Sequence, residues 1–395
     1  MSKSIVNKDS WSLALRNYAM NENSTKLVFL YKILTFCLIL IPLTSSLHTI
    51  IPIPLTRIIV IFVFLSLIAY VFLNNNNKTF FFLFFYLITV LLYSSICSSN
   101  YFSENLEDFI YFSMAILVFF LSCDKQLASS LIDNIQKRKN LIKIIIFLTI
   151  LINIIAVILN NGTYDTDGAF KGYTVVSHSI ATIFIYSIVL LIACKEKNFI
   201  WYLAPIYFIF ISQARTFLIP LCILIIIYFN SFINNKKIKV FLFIALIVVF
   251  AIIFPSTSMY DKFIVTNNQW GGLTNSRSVF WEADMNSFTN DYNPFEMLFG
   301  KGFSWVRTVN QSVTSSRIWA HNDFINVLLS VGIIGEIIYF GLIFRIIKNH
   351  SFFNGLLLAI YILIPAFING FYDYFMLVIS VLIVSQLLGE RKNAK

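Results

Sequence analysis

Trp319-Ala320-His321-Asn322-Asp323-Phe324-Ile325-Asn326-Val327-Leu328-Leu329 is where the chain changes character. Before it lies the largest polar stretch, Pro255 to His321, which holds Trp270, Trp281, Trp305, Trp319 and the arginines Arg277, Arg307 and Arg317. After it an apolar segment runs to Phe344 with only Asp323 and Glu336 charged within it. A helix needs about 20 apolar residues to cross a bilayer. This segment meets that length, and so do many others in the chain.

Over 395 residues the hydrophobic fraction is 58% and the charged fraction 12%. Soluble domains carry about 25% charged residues. The expectation is therefore an all-α polytopic membrane protein. Twelve transmembrane helices read at 27–44, 57–73, 79–97, 108–122, 141–159, 175–193, 199–212, 215–230, 238–255, 322–345, 353–368 and 372–389. The plan is a polar segment 1–26, helices one to nine across 27–255, a large loop 256–320, helices ten to twelve across 321–389, and a tail 390–395. The first apolar run has no small-residue cleavage site after it, so it reads as a membrane helix and not as a removable signal.

Charge sets the orientation. With both termini inside, 21 of the 29 basic residues fall in inner segments and 8 in outer ones. That split follows the positive-inside rule and puts the large loop outside the cytoplasm. The net charge of +10 is thus spread over short loops. No basic patch with interleaved aromatics appears, and nucleic acid is not an expected partner. None of the five cysteines lies in the large loop and no Cys-x-x-Cys occurs, which argues against a disulfide framework or thiolate metal site. The run Asn74 to Asn77 reads as a short inner loop. Internal repeats are absent and charges within the spans are scarce, which argues against a transporter.

The outer segments also hold twelve acids, among them Glu104, Glu107, Asp108, Glu282, Asp284, Asp323 and Asp373. The arginines there need a local reason: pairing with these acids, or an anionic ligand. His321 is the first candidate for chemistry, because histidine is the usual general base near neutral pH. A continuous helix would place it on one face with Ile325, Leu328, Leu329, Gly332 and Gly335, the glycines admitting a neighbouring helix. Position alone also fits a histidine that snorkels to water. Arg215, in Ile211-Ser212-Gln213-Ala214-Arg215-Thr216, could hold a phosphate with help from Ser212, Gln213 and Thr216, or could be an interfacial anchor. Arg277 opens a run in which Val279, Phe280, Ala283 and Phe288 form an amphipathic face, capped by Asn275 or Ser276. An arginine in the first turn opposes the helix dipole. It would suit a bound anion or an ion pair with Glu282 or Asp284. Phe299-Gly300-Lys301-Gly302-Phe303 reads as a tight turn, with Gly300 and Gly302 a weak phosphate signal. Trp281 and Trp319 could stack on sugar rings or belong to an interfacial belt. Asn322 and Asp323 are support candidates, Asp323 as a group that orients His321 or an acceptor hydroxyl. His178 reads as packed within its span, and His48 and His350 as loop residues. The outer loop Asn160 to Val176 reads as a turn that could assist binding.

Three matches together resemble the O-antigen polymerase and ligase superfamily. Ser212-Gln213-Ala214-Arg215-Thr216 resembles its short outer Ser/Thr-x-x-Arg segment. Arg277 and Trp281, followed by Leu298-Phe299-Gly300-Lys301-Gly302, resemble its arginine helix and Phe-Gly-x-Gly turn. His321-Asn322-Asp323-Phe324 with Gly332 and Gly335 resembles its His-Asn helix ending in Gly-x-x-Gly. The matches cover roughly residues 205–345; the first 200 residues agree in hydropathy alone. The resemblance implies a GT-C-like glycosyltransferase architecture in the bacterial inner membrane, with a periplasmic active site. It implies transfer of glycan from undecaprenyl pyrophosphate to an acceptor hydroxyl, with no cofactor and no metal. His321 would be the base and Arg215 and Arg277 the pyrophosphate ligands. Lipid-linked glycans, membrane lipid and a chain-length regulator protein are the implied partners. Ligases often carry an acid two residues before the first glycine of the Gly-x-x-Gly pair, where this chain has Ser330, so the polymerase is favoured over a ligase acting on lipid A-core. A lipid-linked sugar flippase is the alternative from another class.

Overall fold

The computed structural model describes residues 8–51, 53–74, 78–97, 101–160, 162–165, 168–233, 235, 237, 260, 277–314 and 317–389. The expected ninth span, 238–255, and the caps Asn275 and Ser276 lie outside the described residues, as does Trp270. The fold is all-α. Its helices are α1 (Lys8–Ser46), α2 (Leu55–Leu73), α3 (Lys78–Cys97), α4 (Phe102–Leu121), α5 (Lys125–Lys137), α6 (Lys139–Leu159), α7 (Ser177–Ala193), α8 (Ile200–Ile211) and α9 (Leu218–Phe232). They continue with α10 (Arg277–Asn290), α11 (Pro294–Phe299), α12 (Phe303–Thr314), α13 (Asp323–Lys348), α14 (Phe352–Ile368) and α15 (Phe375–Leu388).

Among the described residues six helical segments are long and apolar enough to cross a membrane: Thr25–Ser46, Leu55–Leu73, Phe80–Cys97, Lys139–Leu159, Arg215–Phe232 and Asp323–Lys348. A seventh exists if α4 and α5, which meet at 99°, count as one broken span. This identifies an all-α membrane protein. Helices α7, α8, α14 and α15 are apolar but shorter. The 12 residues of α8 reach about 18 Å at 1.5 Å per residue, against a hydrocarbon core of about 30 Å.

The segment between the fourth and fifth expected spans, 123–140, is largely the helix α5. Asp124 caps α5 by accepting from the backbone of Gln126 and Leu127, at 2.9 and 3.1 Å. Leu127, Leu131 and Ile135, at i, i+4 and i+8, form its buried stripe. The core centres on α7, buried almost along its whole length, and on α15, which packs against both α7 and α4.

α13 is not continuous. Gly332 has φ 71° and ψ −173°, which breaks the helix and frees carbonyls of the preceding turn. The Phe299–Phe303 turn takes them up: Lys301 N donates to Leu329 O at 2.9 Å and Gly302 N to Ser330 O at 3.0 Å. The Tyr292 hydroxyl adds a bond to Leu329 O at 2.9 Å. A Cβ on Gly332 would overlap the Leu298 carbonyl, and one on Gly300 the Ser330 carbonyl. Gly332 therefore admits a loop backbone, while Gly335 lies beside Tyr86 of α3. The break also ends the single face expected to run from His321 to Gly335.

Gly332→Ala should be severely destabilising, because the left-handed conformation and the backbone overlap both penalise a side chain. A loss of at least about 1–3 kcal/mol is expected from the overpacking alone. A melting profile of the detergent-solubilised protein that matches wild type would refute the pairing of turn and broken helix.

Candidate active site

The site is built on the loop between α14 and α15, residues 369–374. Asp323, the first residue of α13, is fully buried beneath it. Its carboxylate accepts from Phe371 N at 2.8 Å, Tyr372 N at 3.3 Å and the Tyr339 hydroxyl at 2.6 Å. Asp323 thus clamps the loop, and its bonds run to Tyr339, Phe371 and Tyr372 rather than to His321. Asn322 caps α13, its side chain accepting from Phe324 N and Ile325 N at 2.9 and 3.4 Å.

His321 precedes the helix, with φ 54°. A left-handed histidine is uncommon and must be held by its surroundings. Trp281 does this from α10: its indole N–H donates to Ala320 O at 2.8 Å. Trp319 does it from the other side. Its ring lies 4.5 Å from that of His321 and 6.0 Å from Tyr374, and it fills the space that a side chain at Gly370 would take. His321 Nδ1 is buried and makes no hydrogen bond.

Arg277, at the start of α10, reaches the same loop. Its guanidinium donates to Ile368 O and, at 2.8 Å, to Asn369 Oδ1. The Asn369 amide in turn donates to the Tyr374 hydroxyl at 2.7 Å. Arg277 bonds neutral acceptors here, and not Glu282 or Asp284. Five other cations in segments assigned to the outer side meet carboxylates: Arg57 with Glu107, Lys171 with Asp165, Lys301 with Glu296, Arg307 with Asp108, and Arg317 with Glu104. Residues assigned to the inner side pair among themselves, Lys139 and Lys143 with Glu196. Among the described residues no salt bridge mixes the two sets.

Arg215 sits in a turn after α8 where Gln213 has φ 52°. Ser212 and Gln213, expected to help hold phosphate, spend their side-chain bonds on the carbonyls of Ile209 and Gly168. Phe170, which follows α6 in the chain, packs against this turn, its N donating to Ile211 O at 3.0 Å. Arg215 and Arg277 are close enough that the first charge disfavours the second: burial and then Arg215 push the Arg277 guanidinium down, with Tyr374 acting in the opposite sense. Burial, then Arg277, His178 and Arg307, push the His321 imidazole down to about 3. His321 is therefore neutral at physiological pH.

A cavity of about 490 Å³ opens beside His321, within the range of about 300–1,000 Å³ common for small-molecule sites. Its wall includes His178, Arg307, Trp319, Asp373 and Tyr374. His178, expected to be packed within a span, is the second residue of α7 and faces this cavity, its ring 6.4 Å from Tyr374. Its signal in the sequence was its place at the outer end of an apolar run. His48 lines the cavity too, whereas His350 bonds Gly389 O and Ser385. The Gly300 and Gly302 turn serves α13, and Lys301 lies over the rings of Tyr292 and Trp305 at 4.7 and 4.5 Å.

The face of α10 differs from the expected one. Val279 is 51% exposed, while Asp284 is fully buried. Both Asp284 oxygens lack a hydrogen-bond partner. Burial pushes this carboxyl up to about 8, and Asn310 opposes the shift without closing a hydrogen bond. No family model matches the chain, and no curated protein does.

The Asp284 shift has a definite sign. The folded value lies above the unfolded one of about 3.9, so the unfolded chain releases its proton first as pH rises. The resulting penalty is absent below about pH 4, grows through the window up to about 8, and is constant above it. Asp284→Asn should therefore be more stable than wild type, by an amount on the order of a few kcal/mol that increases from pH 5 to pH 8. Thermal melts of both proteins across that range would show it; a difference independent of pH would contradict the burial of a protonated carboxyl.

Proposed function

We propose that the protein is a polymerase of undecaprenyl-pyrophosphate-linked oligosaccharide repeat units, O-antigen or a related surface polysaccharide. The reading takes α7, α8, α14, α15 and residues 238–255 as further spans of a twelve-helix, GT-C-like plan. Both termini are then cytoplasmic, and the cavity faces the periplasm of the bacterial inner membrane.

One observation carries this reading. A neutral, tightly held histidine lies beside a guanidinium that is bonded to neutral acceptors, in the wall of a cavity that also presents His178, Arg307 and Asp373. The acceptor hydroxyl gives its proton to His321 while its oxygen bonds the anomeric carbon of the donor. The bond from that carbon to the pyrophosphate oxygen breaks, and the electron pair leaves with the pyrophosphate. Arg277 and Arg215 stabilise the charge that develops there. The depressed basicity of His321 fits this order. Part of the depression comes from Arg277, and a pyrophosphate bound at Arg277 would offset it, strengthening the base once the donor is in place.

A positioned general base contributes about 10²–10⁴-fold. His321→Ala should cut polymer by that factor in a deletion strain complemented with the variant, at unchanged protein level, leaving single repeat units on the surface glycan. Wild-type polymer length would remove His321 from the chemistry. Arg215→Lys keeps the charge but loses the bidentate fork, so its affinity for the lipid-linked donor should fall measurably. Equal donor affinity in that variant would exclude chelation by Arg215.

A further inference from the structure

The surroundings of His321 divide by charge. Arg277, which Arg215 in turn influences, acts on His321 without lining the cavity. The cations of the cavity itself are already matched: Arg57 pairs with Glu107 at 3.1 Å, and Arg307 grips Asp108 through two bonds of 3.0 and 2.7 Å. Asp373 is left as the carboxylate in that wall without an ion-pair partner among the described residues, and its Oδ2 is buried with no hydrogen bond. A buried acceptor left without a donor is costly. Hydroxyl groups would satisfy it.

The same wall carries a platform. The Trp319 ring contacts those of both His321 and Tyr374, and His178 stacks on Tyr374. Trp319 lines the cavity. Pyranose rings offer an apolar C–H face to an indole and a rim of hydroxyls to a carboxylate, which matches Trp319 and Asp373 together. Tyr374 also links the cavity to Arg277, since its hydroxyl is bonded through Asn369 to that guanidinium.

We propose that this cavity is the binding site for the acceptor sugar, in which the Asp373 carboxylate accepts from acceptor hydroxyls, Trp319 carries the ring face, and one hydroxyl is presented to His321. The proposal rests on the polymerase reading above and adds to it the side from which the acceptor enters.

The test uses the full-length protein in nanodiscs. The donor is the host's undecaprenyl-pyrophosphate-linked repeat unit. The acceptor probe is a fluorescent repeat unit lacking pyrophosphate, which can accept but not donate. Asp373→Asn should raise the acceptor KM about ten- to hundredfold, as expected for losing a hydrogen bond to a charged group, with kcat and donor KM little changed. An unchanged acceptor KM, or a rise in donor KM instead, overturns the assignment. If Asp373→Asn fails to bind donor and is therefore misfolded, His178→Ala decides: a selective rise in acceptor KM supports the cavity as the acceptor site, and none rejects it. A wild-type protein that forms no polymer from these substrates overturns the polymerase reading itself. A wild-type protein that polymerises beside an unaffected Asp373→Asn overturns the acceptor site alone.

Discussion

The site depends on one buried carboxylate. Asp323 stands fully buried at the first position of α13 and must find donors, because an uncompensated charge or acceptor in such a place costs several kcal/mol. It finds them in the Tyr339 hydroxyl and in two consecutive backbone N–H groups, those of Phe371 and Tyr372. The bond to Tyr339 lies within α13. The bonds to the backbone reach 48 and 49 residues along the chain and fix the loop before α15 against the start of α13. Everything proposed to be reactive hangs from that junction. Trp319 rests on Gly370, Arg277 is held by Asn369, and Tyr374 and Asp373 form the next wall.

The junction is reinforced where the backbone is least comfortable. His321 and Gln213 are both left-handed without being glycine, and each such residue costs about 1–3 kcal/mol. Each belongs to the turn that carries a proposed ligand. The compensation is local and polar: Trp281 bonds the residue before His321, Asn322 caps the helix after it, and Gly168 O takes the Gln213 amide. The Gly300 turn then fastens the far end of the first segment of α13 through carbonyls that Gly332 releases. A short, doubly anchored helical piece is what a base needs if it is to stay within hydrogen-bond reach of a hydroxyl.

Much of this was legible in local sequence, and the rest was not, for a common reason. Apolar runs longer than 18 residues identify themselves, and an arginine among acids on the outer side asks for a reason. His321, Arg277 and Arg215 emerge from that question alone. The answers lie far away in sequence. Arg317 is matched by Glu104 and Arg307 by Asp108, separations of 213 and 199 residues that no local pattern encodes. Asp323 was read as a partner for His321 because it is two residues away, yet its acceptors point to a loop that looked like a mere join between two spans. His178 was assigned to the core because apolar residues follow it, although the first turn of α7 is where the cavity begins. The face of α10 was misplaced because hydrophobic spacing cannot anticipate that a carboxylate, Asp284, is the residue turned inward.

The division of charge around His321 has a consequence for the order of events on the polymerase reading. Burial disfavours protonation of His321, and Arg277, His178 and Arg307 act in the same sense. Arg307 is already answered by Asp108, and His178 belongs to the cavity side. Arg277 is the contribution that a ligand can cancel, since its bonds run to neutral oxygens. A pyrophosphate delivered there brings negative charge within reach of the imidazole and raises its affinity for a proton. A neutral sugar entering the cavity brings none. The base is then strongest when the leaving group is already bound, so an acceptor that arrives first meets a histidine too weak to deprotonate it, and water meets the same weak base. Arg277 beside His321 and matched ion pairs in the cavity thus protect the site from premature chemistry by the same electrostatics that stabilise the departing pyrophosphate.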